Sequence, residues 1–359
     1  MKSKYVFANI FDSSMNFGTA KEVYYPENVE EIKEIVKYCK DKMWPITVRG
    51  GASSLTGSSV PRDSVVVNML KMNHVIEVSD NEVIVESGII LDQLNDILEE
   101  KGLYFPIQPS SHNICTIGGM ISCNAAGKEA IRYGKTLNWV NWIEIIDANG
   151  NIVKVKSLPP YSEGMLGVIC RASLNVIPKI KNRGFKTFLV DDVSELLKLV
   201  SEFKKKKVLS IEAIGKFASN LIYGINKYVL IIESDSLENF DEKPKINRDI
   251  AYSKLSSLGY SIIQDPQINA DNLFQLISLL ENKSIPWFGH IGVGILHPCF
   301  KSFKDADHFL KQIVKFANPS GEHGYGLLKK EFRPKDNKEQ IIKLKSKYDA
   351  FNLFNPHLL

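Results

Sequence analysis

Three stretches rich in glycine and short hydroxyl residues limit this chain's fold more than any other feature. They are "ITVRGGASSLTGSS" at 46–59, "QPSSHNICTIGGMISCNAAGKEAIRYGKT" at 108–136 and "YSEGMLGVICRASLNVIP" at 161–178. Glycine reaches backbone angles closed to other residues, and side chains this small let main chain approach a ligand. Successive backbone N–H groups in such a loop make a concave nest for an anion. Each hydrogen bond to a charged group is worth about 1.5–3 kcal/mol, so several hold a phosphate without a lysine. The first stretch indeed lacks the lysine of a nucleotide-hydrolysing P-loop. Alone it reads equally well as a tight turn. Three such loops, each bounded by strands, imply one long ligand lying against backbone.

The rest of the chain suits two folded domains. Its 359 residues can bury large cores, and 44% apolar with 24% charged residues is ordinary for a soluble globular protein. A net charge of +4 argues against a dedicated nucleic-acid binder. Cys39, Cys115, Cys123, Cys170 and Cys299 form no C-x-x-C pair. A disulfide framework or cysteine-held cluster is therefore not expected, and a reducing cytoplasm is. The start, "MKSKYVFANIFDSSMNFG", lacks a signal-peptide core, and no run reaches membrane-span length. The expectation is a cytoplasmic protein, with a peripheral membrane contact left open.

Val29, Ile32, Val36 and Cys39 predict a helix beginning near Glu27 or Asn28. "PITV", "SVVVNML", "HVIEV" and "NEVIVESGI" read as strands, and Leu91, Leu94 and Leu98 as one face of a short helix stopped at Gly102. "NWIEIIDANGNIVKV" predicts a hairpin around Asn149-Gly150. After Pro178 the texture becomes strand–helix–strand twice over, the rhythm of a small ferredoxin-like antiparallel sheet. "LENFDEKPKIN" reads as a polar loop and Lys204 to Lys207 as a solvated helix end. From about Asp305 a helix, a glycine-rich loop and a terminal helix follow.

The glycine loops resemble those of the vanillyl-alcohol oxidase type of flavoprotein (the PCMH FAD-binding fold), in the branch of glycolate oxidase FAD subunits and D-lactate dehydrogenases. "RGGASSLTG" is similar to that family's R-G-G-G-T-S-L-T-G, and "PSSHNICTIGGMISCNAAG" to its P-x-S…T-I-G-G…N-A-G-G. "RYGKT" and "SEGMLGVICRASLNVIP" match the next landmarks. "GHIGVGILHP" resembles G-H-x-G-D-G-N-x-H, "SGEHGYGLLKK" resembles S-G-E-H-G-x-G-x-x-K, and "YDAFNLFNP" resembles the family's terminus. The matches run in the family's order over most of the chain.

The resemblance implies an α+β fold with a two-subdomain PCMH-type FAD-binding domain over 1–178. A ferredoxin-like cap follows over 179–307, and 308–359 returns to the FAD domain carrying the GEHG motif. It implies that the FAD diphosphate lies on the backbone of Gly50, Gly51, Ala52, Ser53 and Ser54, between Arg49 and Gly57. Pro109, Ser110, Thr116, Gly118, Gly119, Asn124, Ala126 and Gly127 would line the flavin and ribityl arm. Glu163, Gly164 and Ile169 would lie near the adenosine end, with Asn355 from the terminal motif. Covalently flavinylated relatives carry a histidine in the first loop. Ala52, Ser53 and Ser54 stand there in this chain, so the expectation is noncovalent FAD.

Removing hydride from a 2-hydroxy acid needs a base for the hydroxyl proton, and a metal that lowers the hydroxyl pKa assists. The resemblance implies His290, His297 and Glu322 as ligands of a divalent metal such as Zn²⁺ or Mn²⁺, and His323 as the catalytic general base. Val293 and Ile295 depart from it, standing where the family has Asp and Asn. Arg248 and Arg333 are the candidates for clamping a substrate carboxylate. The resemblance thus implies an FAD-dependent dehydrogenase or oxidase of a D-2-hydroxy acid of the D-lactate or glycolate type. Hydride would pass to flavin N5 and electrons to a quinone, carrier or partner subunit. The alternative is an FAD-carrying relay subunit of a multi-subunit oxidase. A homo-oligomer is expected, and no nucleic-acid partner.

Overall fold

The structure is a computed structural model that describes residues 2–3, 5–236 and 238–359. Met1 and Lys4 belong to the N-terminal stretch read above, and Leu237 opens the expected polar loop. All three lie outside the described residues. The chain separates into two compact units. One comprises Met1–Ala125, Lys135–Lys179 and Glu322–Leu359, the other Ala126–Gly134 and Ile180–Gly321. The sequence boundaries at 178 and 308 differ from this division in two places. Residues 126–134 group with the second unit, and so does the stretch up to Gly321.

In the first unit, Asn28 caps the helix Val29–Lys42 by accepting from the Glu31 N–H, and Glu30 and Glu31 favour its positive end. The buried face, Val29, Ile32, Ile35, Val36 and Cys39, shares a core with Ile46, Val65 and Val67 of a parallel sheet. That sheet runs Thr19–Tyr24, Arg62–Asn68, Ile46–Arg49 in spatial order. A second sheet of five antiparallel strands contains Val75–Val78, Glu82–Glu86, Val168–Asn175, Val140–Ile146 and Ile152–Val155, in that order. Its last pair is the expected hairpin. Asp147 Oδ1 accepts from the N–H groups of Asn149 and Asn151, and Gly150 supplies the left-handed angle, φ 79°. The chain end is woven in: Ile46 N–H donates to Leu353 O at 2.8 Å, and Asn355 N–H donates to Ile46 O at 2.9 Å.

In the second unit, Gly184–Val190, the helix Val193–Lys204 and Ser210–Ile214 form a split β-α-β, with Tyr228–Ser234 inserted antiparallel between the two strands. The hairpin Trp287–His290 and Ile295–Phe300 extends the sheet beside Ser210–Ile214, and Ile262–Ile263 makes its edge. The expected antiparallel sheet is present. Residues 238–247 contain no helix or strand, and Lys204 to Lys207 are exposed at a helix end. Among the described residues no helix is long and apolar enough to cross a membrane.

Candidate active site

In the first unit the glycine stretches converge in close packing. A Cβ on Gly50 would stand 2.2 Å from Thr116 Oγ1, and one on Gly51 would stand 1.7 Å from the Ile114 carbonyl oxygen. A Cβ on Gly164 would come within 3.0 Å of Asn355 Nδ2, and one on Gly326 within 2.3 Å of the Thr56 carbonyl oxygen. The loop after strand Ile46–Arg49, the segment 114–119, the turn 161–164, the loop 323–327 and Asn355 are thus one packed assembly. At Gly50, Gly51 and Gly326 only hydrogen fits without a shift of the neighbour.

The first loop presents backbone donors of the kind an anion needs. The N–H groups of Gly51 to Leu55 donate to no acceptor among the described residues, although each residue is half-buried. Ser54 Oγ accepts from Thr56 N–H (3.2 Å) and Ser58 N–H (3.3 Å), which organises the returning half of the loop. Five consecutive half-buried donors without partners fit a diphosphate, whose oxygens would satisfy them. Ala52, where the family has glycine, holds φ 57°, a conformation that strains any residue with a Cβ. Arg49 turns inward instead: its guanidinium donates to Ser59 O (3.3 Å) and Ala8 O (3.2 Å).

The other expected cofactor residues occupy defined places. Pro109 opens the turn before Thr116, and its carbonyl accepts from His112 N–H, while Ser110 is exposed. Thr116 caps the short helix Ile117–Cys123 through Gly119 N–H, and Gly118 packs on Ser87. Asn124 ends that helix in the left-handed region, its Oδ1 accepting from Leu137 N–H. Ile169 is buried in the antiparallel sheet and Gly57 lies against Leu327. Ala126 and Gly127 belong to the second unit.

Glu163 is a tether. Its Oε1 accepts from Tyr325 N–H (3.0 Å) and Gly326 N–H (2.9 Å), and Oε2 pairs with the Arg333 guanidinium. Both side chains are buried, and Arg333 also donates to Tyr161 O (2.9 Å). Burial pushes the Glu163 carboxyl above its ordinary pKa, while Arg333 and the two N–H groups oppose the rise. These bonds shape the loop that carries Glu322 and His323, whose Oε1 and Nε2 lie 3.4 Å apart. Thr56 Oγ1 holds the His323 carbonyl. Of the two candidate arginines, Arg333 is therefore occupied by Glu163 and Tyr161.

In the second unit, strand alternation puts His290 and His297 on one face of their hairpin, with ring centroids 5.3 Å apart and planes at 87°. Both are nearly inaccessible, 4% and 3% exposed. The register Ala213↔Gly289 brings Glu212 beside His290, and its Oε1 lies 2.7 Å from His290 Nδ1. Glu212 Oε2 lies 2.8 Å from Arg248 Nε, so one carboxylate faces both the imidazole and the guanidinium. A carboxylate against one ring nitrogen is the setting of a metal-ligating histidine. Two imidazoles on one hairpin face suit a divalent cation as nitrogen donors. Arg248 packs over Phe288 at 5.0 Å, and its Nη2 makes no hydrogen bond among the described residues. Of the expected ligands, Glu322 starts the last segment of the first unit. Ile295, a departure from the family pattern, is buried and packs where a Cβ on Gly321 would stand, 2.8 Å from its Cγ1.

Sequence reasoning missed Glu212. Its signal was a carboxylate inside the otherwise apolar strand "LSIEAI", a position that needs a buried partner.

Compared with known proteins, residues 20–156 match the family described as FAD binding domain. The chain is 27% identical to the glycolate oxidase subunit GlcD of Bacillus subtilis, over 93% of this chain and 87% of that protein. It is 26% identical to the D-lactate dehydrogenase of Archaeoglobus fulgidus, over 93% and 90%. A mitochondrial D-2-hydroxyglutarate dehydrogenase of Arabidopsis thaliana is 25% identical, over 87% of this chain and 69% of its own length. The bare N–H run of the first loop thus lies within residues 20–156, the segment that matches the FAD binding domain family.

Proposed function

We propose that this chain is an FAD-dependent dehydrogenase of a D-2-hydroxy acid, with FAD held noncovalently. The observation that carries the reading is the buried His290–His297 pair with the Glu212 carboxylate against His290, for which an electron relay has no use. The names of the three relatives, which concern glycolate, D-lactate and D-2-hydroxyglutarate, support a small hydroxy acid as substrate. When bound, FAD supplies the hydride acceptor.

The chain's own residues would divide the remaining work. The N–H groups of Gly51 to Leu55 hold the diphosphate, and no histidine stands in that loop to form a covalent link. His290 and His297 hold a Zn²⁺ or Mn²⁺ ion, and the expected carboxylate ligand is Glu322. His323 takes the hydroxyl proton, and Arg248 offers Nη2 to the substrate carboxylate. Electrons leave to a quinone, a carrier or a partner subunit, in a cytoplasmic homo-oligomer that can touch a membrane surface.

Ile295 favours a second reading, a relay subunit that no longer turns over substrate, because an aliphatic side chain fills a position polar in the family. Steady-state reduction of an artificial dye separates the two. The enzyme reading predicts D-acid-dependent dye reduction that falls by about 10²-fold or more in His323→Ala, the scale of a lost general base. A fully flavin-loaded protein that reduces no dye with any hydroxy acid, yet passes electrons between dyes, supports the relay.

A further inference from the structure

The matched family segment begins at residue 20, yet the loop read as the diphosphate site is built partly by residues that precede it. Ser13 donates twice to the Ala52 carbonyl, from N–H at 3.1 Å and from Oγ at 3.2 Å. Asp12 is buried and accepts on both oxygens. Oδ1 takes Ser14 N–H (3.0 Å) and Ser14 Oγ (2.5 Å), and Oδ2 takes Ser59 N–H (3.4 Å) and Ser59 Oγ (3.1 Å). Arg49 reaches Ala8 O and Ser59 O, so both ends of the loop are tied to the same N-terminal stretch. That stretch is anchored where Asn68 Nδ2 donates to Asn9 Oδ1 at 2.8 Å, and it closes on itself where Gly18 N–H donates to Ile10 O at 2.7 Å.

The geometry has a consequence for the loop's donors. The peptide is planar and trans, so the carbonyl of Ala52 and the N–H of Ser53 point in opposite directions. Fixing that carbonyl on Ser13 fixes the Ser53 N–H facing away from the N-terminal stretch. It also holds Ala52 at φ 57°, a conformation its Cβ disfavours when unsupported.

We propose that residues 5–18 form a strap that presets the diphosphate loop, with Asp12 and Ser13 as positioning residues for FAD. The inference rests on the FAD reading of that loop. Neither side chain touches the cofactor. They act by keeping the N–H run of Gly51 to Leu55 in its anion-binding shape before FAD arrives, so that binding need not order it.

The test uses the full chain as apoprotein and compares two probes, ADP, which carries the diphosphate, and riboflavin, which lacks it. Asp12→Ala and Ser13→Pro should each weaken ADP by about tenfold or more, the scale of one lost charge-assisted hydrogen bond. Riboflavin affinity should stay within about twofold, since its contacts lie elsewhere. Ser13→Ala removes only one of the two donors. It provides the mild variant should the others fold poorly, with a smaller loss for ADP and a shifted ³¹P resonance of bound FAD. Equal weakening of ADP and riboflavin would show a general structural role and overturn the proposal, as would unchanged ADP binding in all three variants. A wild-type apoprotein that takes up neither FAD nor ADP would instead overturn the underlying reading of the loop.

Discussion

At the scale of single residues, the site depends on side chains whose work is indirect. Ala52 holds a left-handed angle that the family assigns to glycine. Ala52→Gly should therefore stabilise the protein by about 0.5–1 kcal/mol, the relieved Cβ strain less the added freedom of the unfolded chain. A thermal melt of the apoprotein checks it, and a lowered Tm would show that the strain is absent. Glu212 lies against both His290 Nδ1 and Arg248 Nε. Glu212→Gln keeps the shape but removes the charge, so Zn²⁺ affinity should fall about 10–100-fold in a calorimetric titration. Unchanged affinity would mean that the imidazole is oriented by packing alone.

At the scale of elements, legibility followed locality. The helix Val29–Lys42 and the hairpin around Asn149-Gly150 could be read because cap, periodicity and turn chemistry sit within a few residues. The helix Lys216–Tyr223 has no local cap. The Glu281 carboxylate accepts the N–H groups of Lys216 (3.0 Å) and Phe217 (3.2 Å), an arrangement that no nearby residue announces. The regrouping of residues 126–134 has a similar cause. Arg183 bridges Glu129 (2.7 Å) and Glu233 (2.5 Å), partners far apart in the chain. The glycine loops were legible as a set, whereas Glu212, Asp12 and the occupation of Arg333 by Glu163 were not. Each of those depends on a contact made only after folding. The terminal helix Lys335–Tyr348 is held by one buried cation. Lys345 Nζ donates to Met165 O (3.1 Å) and Phe354 O (2.6 Å) and pairs with Asp349 (2.5 Å). Lys345→Met would leave Asp349 buried without its counter-charge. We expect a loss of about 3–5 kcal/mol in urea unfolding, and a loss under about 1 kcal/mol would contradict the tether.

At the scale of the whole molecule, stability should fall on mild acidification. Burial, together with the positive charges of Arg62, Lys330 and Lys345, lowers His357 from 6.5 to about 4. The unfolded chain therefore binds a proton that the folded chain refuses between those values. Stability contributed by neutral His357 is complete above pH about 6.5 and is lost as pH falls towards 4. His357→Asn should flatten that limb of the stability profile, and an unaltered limb would show that other groups set it. Under the proposed function the chain oxidises a D-2-hydroxy acid on FAD. The most direct measurement is anaerobic absorbance of the FAD-loaded protein on adding matched D- and L-2-hydroxy acids with Zn²⁺ or Mn²⁺ present. The account predicts loss of the flavin band with at least one D acid, little change with its L enantiomer, and no loss in His323→Ala. A fully loaded flavin that stays oxidised with every acid of either hand would contradict it.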